Sequence, residues 1–326
     1  MNTQSMTVPE SPPAGRASTP VAATRLAYWS IRRELWENRS IYLAPLIVAG
    51  VVLIAFLFSL AYLPGTISKL PGLDSSHQHI MLAAPYDASA IMIILVSVLV
   101  AWFYCLEALH SERRDRSILF WKSLPVSDLT TVLSKATIPL VLMPLLALAI
   151  VMVMHLIMLA LSSVVLLSSG SSPVPLWNEV PAFENSLILL YGLVTLALWY
   201  APIYGWLLLV SAWAERATLL WAVLPPLVIS VAERILFHTS YIGSMITGRL
   251  FHGFAHAFVI KVQASGMAPN GTGAHPRMSH EQLAQIMNPI PDPMKFLTSP
   301  SVWIGLVVAA ALIGAAIWLR RRRDPM

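Results

Sequence analysis

The sequence predicts an all-α integral membrane protein with six transmembrane helices, both termini cytoplasmic, and an amphipathic interfacial helix before the first span. Three observations lead there. Apolar residues make up 57% of the 326 positions against 11% charged, with a mean hydropathy of +0.69, which excludes a soluble globular chain. Six apolar runs lie near residues 42–63, 89–109, 137–166, 186–211, 217–237 and 301–319. Each can cross about 30 Å of hydrocarbon as a helix of roughly 20 residues. Helices are required because lipid offers no partners to unpaired N–H and C=O groups. When these runs are drawn as spans, fifteen of the 21 Lys and Arg residues fall on one side.

That asymmetry sets the orientation, because cations near span ends are retained in the cytoplasm. The favoured side holds Arg16, Arg25, Arg32, Arg33 and Arg39 before the first span. It also holds Arg113, Arg114, Arg116, Lys122 and Lys135 after the second, Arg216 after the fourth, and Arg320 to Arg323 in the tail. The other side carries Lys69, Arg249, Lys261, Arg277 and Lys295, with Arg234 at a span end. An odd number of spans would strand one basic terminus outside. The net charge of +5 is therefore a topological signal, since the cations cluster beside spans rather than along one nucleic-acid-binding face.

Residues 1–23 are rich in Pro, Ser, Thr and Ala and read as a disordered cytoplasmic tail. The first apolar run starts too late and is too long for a secretory signal, so it is expected to remain as an anchor. Residues 24–39 have an amphipathic pattern, with Leu26, Trp29, Arg33 and Trp36 on one side and Arg32, Glu34, Glu37 and Arg39 on others. This segment is expected to lie flat on the inner leaflet, or else to extend the first span. Residues 24–319 form the transmembrane domain, followed by a basic cytoplasmic tail, 320–326. The third run is too long for the hydrocarbon, and Pro139 and Pro144 are its natural bend points, as are Pro202, Pro225 and Pro226 in later spans.

The outer segment 238–300 holds an apolar stretch, Tyr241 to Val262, interrupted by Gly243, Gly248, Arg249 and Gly253. It reads as a re-entrant or surface-lying hairpin followed by a polar loop. His252 and His256, and the outer pair His77 and His79, lack the Glu of an HExxH arrangement, and no metal is expected. Cys105 lies inside the second run as a packing residue. Small residues pair in the last span as Gly305 with Ala309 and Ala310 with Gly314, permitting close helix approach. His155, deep in the third run, has two readings: an interhelical hydrogen bond, or a polar contact on a substrate path.

The cytoplasmic loop 110–135 carries the most information. Cations crowd its start; Ile118, Leu119, Phe120, Trp121 and Leu124 then supply apolar knobs; Pro125 stops that short helix; Ser127 and Asp128 can cap the next. A short helix with exposed aromatics, joined rigidly to two spans, suits force transfer from a soluble partner. A loop that merely obeys topology needs none of these knobs.

This loop resembles that of the permease subunits of type-2 ATP-binding-cassette exporters. The matching positions are Glu112, Arg113, Ser117, Ile118, Leu119, Leu124, Pro125, Val126, Ser127 and Lys135. Arg116 departs from the pattern, since many relatives place Gly there. The resemblance extends to the interfacial helix, the six spans and the long outer segment. It implies a multi-pass protein of the bacterial inner membrane that pairs with a second permease copy or a sister permease and two ATPase subunits. The loop after the second span would seat in a cleft of the ATPase. Glu112, Arg113, Arg116, Ser117, Phe120, Trp121, Leu124, Pro125, Ser127 and Asp128 are the expected coupling residues, with Glu34 and Trp36 as secondary contacts. No GxxxxGK[ST] phosphate loop occurs in the chain, so ATP would be bound by the partner. Catalytic residues and resident cofactors are not expected. Two other classes stay open: an intramembrane protease or lipid-modifying enzyme, for which the spans supply only His155 with Glu107 and Glu233 near opposite ends, and a non-transporting scaffold or sensor coupled to an ATPase.

Overall fold

The computed structural model describes residues 23–68, 75–114, 127–251, 253, 258–259 and 290–322. Among them, six helical segments are long and apolar enough to cross a membrane: Ser40–Ile67, Met81–Arg114, Asp128–Ser168, Val174–Trp213, Thr218–Phe237 and Pro300–Arg322. Each covers one of the six expected runs.

The chain starts with α1 (Ala23–Glu37) and α2 (Ser40–Ser59), which continues through a short 3-10 turn into α3 (Leu63–Ile67). The second span is α4 (Ser75–Glu107), with α5 (His110–Arg114) directly after it. The third begins as α6 (Asp128–Thr137), passes through a π-helical turn (Ile138–Leu142) and becomes α7 (Met143–Ser168). Next come α8 (Val174–Glu179), α9 (Ala182–Trp213), α10 (Thr218–Phe237) and α11 (Tyr241–Phe251). Phe258–Val259 and Ile290–Pro291 form a minimal antiparallel pair, and α12 (Pro293–Thr298) leads into α13 (Pro300–Arg322).

The π turn falls where the prolines predict a bend. Pro139 occupies its second position, Pro144 is the second residue of α7 after it, and the Met143 N–H reaches back five residues to the Ile138 carbonyl. A widened turn accommodates rings that would collide with the carbonyls of a regular helix. Beside it, Ser97 and Ala101 of α4 and Ala197 and Tyr204 of α9 border a small apolar crevice with Pro139 and Met143.

The core is built mainly between α2, α4, α7 and α9, with α13 packed along α9. Gly205 of α9 allows that approach, because a Cβ there would lie 3.2 Å from the Ala309 carbonyl. Gly305 and Ala309 are both buried, whereas Ala310 and Gly314 face outward. Among the described residues, the first small-residue pair is the one packed against the rest of the chain.

The outer segment turns back. His238 ends α10 in the left-handed region (φ 53°), and α11 then runs beside α10, with Gly243 facing Ser230. Both ends of α11 are capped by side chains of neighbouring helices. The Glu233 carboxylate accepts from the Tyr241 and Ile242 N–H groups at 2.6 and 2.8 Å and from the Thr239 hydroxyl at 3.0 Å. At the other end, the Trp199 indole and the Tyr200 hydroxyl each donate at 2.9 Å to the Arg249 and Leu250 carbonyls. Arg249 lies over the Trp199 ring at 4.3 Å and donates to the Ser301 carbonyl. Helix ends leave backbone groups without intrahelical partners, and here side chains from α9 and α10 supply them at both ends of α11. Glu233→Ala is expected to loosen the start of α11 locally, as for loss of an N-cap. Hydrogen exchange over Tyr241–Phe251 should rise several-fold while α9 and α13 stay protected. His252 and His256 lie outside the described residues, as do the side chains of His77 and His79.

Candidate functional site: buried charges at the base of the loop

The sequence places a cap for α6 at Ser127 and Asp128, and the structure starts the helix there. The Ser127 hydroxyl accepts from the Thr130 N–H at 3.1 Å, which sets the helix start and turns Val132, Lys135 and Ala136 inward. Lys135 is thereby carried into the protein, where its side chain is only 2% exposed.

Four charged groups from four separate elements meet around it. The Lys135 ammonium lies 2.7 Å from Glu34 Oε1 of α1 and 3.2 Å from Glu112 Oε1 of α5. The Arg320 guanidinium of α13 donates to Glu112 Oε2 at 2.7 Å and to Asp128 Oδ1, the first residue of α6, at 3.0 Å. Two cations, Lys135 and Arg320, thus balance the two buried carboxylates of Glu34 and Glu112. The Tyr104 hydroxyl of α4 donates to Glu34 Oε2 at 3.0 Å. On the rim, Arg33 spans Glu37 at 2.9 Å and Glu112 at 3.2 Å. Desolvating charges is expensive unless each lone pair and proton finds a partner, and here each carboxylate oxygen does.

Arg113, next to Glu112, points to a different anchor. Its Nη2 donates to the carbonyls of Ser211, in the last turn of α9, and of Ala214, its C-cap, at 2.8 and 2.6 Å. A cation at a helix C-terminus is favoured by the helix dipole. The Ser211 hydroxyl accepts from the Leu109 and His110 N–H groups at 2.9 and 3.0 Å. His110 Nδ1 lies 3.2 Å from the Ala214 carbonyl, to which it donates.

The consequence is mechanical. Residues 115–126 leave from α5 and return at α6, and both flanks are clamped. Glu112 and Asp128 share one guanidinium from α13, Glu112 and Glu34 share one ammonium from α6, and Arg113 holds the end of α9. The N-terminal helix, the flanks of this loop and the end of the last span therefore lie at one end of the bundle.

Several expected positions change their role. Glu112 and Arg113, expected on a docking surface, are 5% and 7% exposed and turned into the chain. Glu34, expected as a secondary contact, is 3% exposed and holds Lys135. Asp128 is half-buried and paired with Arg320. All four side chains are engaged within the chain. Ser127 and Trp36 are exposed. Arg116, Ser117, Phe120, Trp121, Leu124 and Pro125 lie outside the described residues. The faces of α1 also differ from expectation: Arg32 sits with Trp29 and Trp36 on the outward side, while Arg33 reaches inward to Glu112.

His155 takes part in an interhelical contact. Its Nε2 lies 3.0 Å from the Tyr86 carbonyl and 3.2 Å from the Ser89 hydroxyl, joining α7 to α4. The Tyr86 hydroxyl meets the Ser162 hydroxyl at 3.3 Å nearby.

Comparison with family models, with curated proteins and with solved structures finds no match to this chain.

Proposed function

We propose that this chain is the membrane-spanning permease subunit of an ATP-binding-cassette exporter, driven by a separate ATPase that docks on the loop after the second span. The observation that carries this reading is the clamping of both flanks of the loop, Glu112 and Arg113 before it and Asp128 and Lys135 after it, to α1, α9 and α13. A topological loop has no need of such an anchorage, whereas a loop that receives force does.

In this reading both termini and the loop face the cytoplasm of a bacterial cell. ATP is bound and hydrolysed by the partner, and the permease works with a second copy or a sister subunit. A displacement of the loop moves α5 and α6 together, because Glu112 and Asp128 are tied by Arg320. The motion reaches α1 through Glu34 and Lys135, and α9 through Arg113. The π turn between α6 and α7 is the compliant element, and the apolar crevice beside it gives that turn room to repack. Cargo passes between the two permease halves. An intramembrane enzyme is less well supported, since His155 is engaged with Tyr86 and Ser89 rather than with a second ionisable group.

Co-expression of the tagged chain with ATP-binding-cassette ATPases of its own genome tests the reading. One ATPase should co-purify and hydrolyse ATP in the complex. Phe120→Ala and Trp121→Ala should each weaken that association by about 2 kcal/mol, roughly 30-fold in Kd, as for a central aromatic anchor. Failure of the wild-type chain to retain any such ATPase, or unchanged binding and turnover in both variants, would count against it.

A further inference from the structure

The outward side of α1 carries a feature that the loop does not use. Its inward side, with Ile31, Glu34 and Leu35, is packed on the rest of the chain. On the opposite side Trp29 and Trp36 are 58% and 70% exposed, with the Arg32 guanidinium between them, 5.2 Å from each ring centroid. Arg39, in the turn that follows α1, is also exposed. Among the described residues neither Arg32 nor Arg39 forms an ion pair. Both carboxylates of the helix are engaged elsewhere, Glu34 with Lys135 and Glu37 with Arg33. The stripe is cationic and aromatic, with no acidic residue facing it from its own helix.

Two further aromatic groups mark the same end of the bundle. Trp318 lies under the Arg322 guanidinium at 4.3 Å, two residues before the buried Arg320. Trp213 and Trp221 pair edge to face at 4.8 Å where α9 meets α10. Half-exposed indoles at span ends are the signature of the headgroup layer. A helix fastened at that level by Glu34 presents its free side to lipid headgroups. There an aromatic sandwich holds a guanidinium in a set direction, leaving its N–H edges for a phosphate oxygen.

We infer that the stripe of Trp29, Arg32, Trp36 and Arg39 binds the headgroups of anionic phospholipids in the adjoining leaflet, in preference to zwitterionic ones. This rests on the six-span membrane fold and not on the ATPase reading. Charge complementarity selects the occupant, since each arginine near an anionic surface is worth about 1 kcal/mol, roughly fivefold in partitioning.

The test uses the full chain in phosphatidylcholine vesicles with trace spin-labelled phosphatidylglycerol or spin-labelled phosphatidylcholine. The readout is the relative association of the two probes. The wild type should prefer phosphatidylglycerol several-fold, and added salt should weaken that preference. Arg32→Gln with Arg39→Gln should lower it at least about fivefold, while Arg32→Lys with Arg39→Lys retains it at unchanged thermal stability. No preference in the wild type, or an undiminished one in the glutamine variant, would overturn the inference. So would a glutamine variant that loses ATPase co-purification with its lipid preference intact, because the stripe would then belong to a protein interface.

Discussion

Lys135→Met is expected to destabilise the folded chain by about 3–5 kcal/mol, as for removal of one partner from a buried ion pair. Methionine nearly matches the aliphatic volume of lysine, so the loss is almost wholly electrostatic. Glu34 and Glu112 would be left facing each other with their shared ammonium gone, and burial denies them water in its place. Thermal unfolding followed by size-exclusion fluorescence in detergent reads this directly. Adding Glu34→Gln to Lys135→Met should recover part of the loss, because it removes the carboxylate that loses its closest cation, while Glu112 keeps Arg320. An exposed pair of the same residues would contribute no more than about 1 kcal/mol. A melting temperature unmoved by Lys135→Met would therefore exclude a buried cluster.

Arg320→Ala should have the second largest effect. It cuts the ion pairs that tie α13 to both flanks of the loop, at Glu112 and at Asp128, and leaves the apolar cluster of Ala316 with Val132 in place. The expected cost is about 3 kcal/mol, concentrated at this end of the bundle. Hydrogen exchange over Asp128–Thr137 should accelerate more than tenfold, while Gly205 and its neighbours in α9 change little. Arg321→Ala and Arg322→Ala, at exposed positions, should stay within about 0.5 kcal/mol of wild type. In an assembled transporter the same Arg320 variant should bind the ATPase but couple hydrolysis poorly to transport. The contrast among three consecutive arginines separates an anchoring role from a topological one.

The spans were legible because hydrocarbon thickness imposes length and apolarity on each run independently of its neighbours. Ser127 was likewise legible, since a cap acts within three residues. The charge cluster was not, because its members lie far apart in sequence and hydropathy weighs every cation alike. Arg320 differs from Arg321 only in the helix face it occupies, and that depends on where α13 docks on α9. Lys135 offered a local clue: it follows Val132 by three residues and so falls on the apolar side of α6. In α1 the periodicity was visible, but Arg32 and Arg33 exchanged roles. A long side chain at the edge of a stripe can turn either way, and the position of Glu112 decided it. The prolines announced a bend in the third span, whereas the π turn also required the neighbouring helices α4 and α9.

The reading of a force-receiving loop depends on which side of the membrane the charge cluster faces. Single cysteines in a Cys105→Ser background, probed with a membrane-impermeant maleimide on intact cells, decide that. Ser127→Cys beside the loop, Arg321→Cys in the last turn and Ser172→Cys between α7 and α8 all fall on exposed or half-exposed positions. Ser172→Cys should be labelled from outside, whereas Ser127→Cys and Arg321→Cys should react only after permeabilisation. Labelling of Ser127→Cys in sealed cells would contradict that reading, since no cytoplasmic ATPase could then reach the loop.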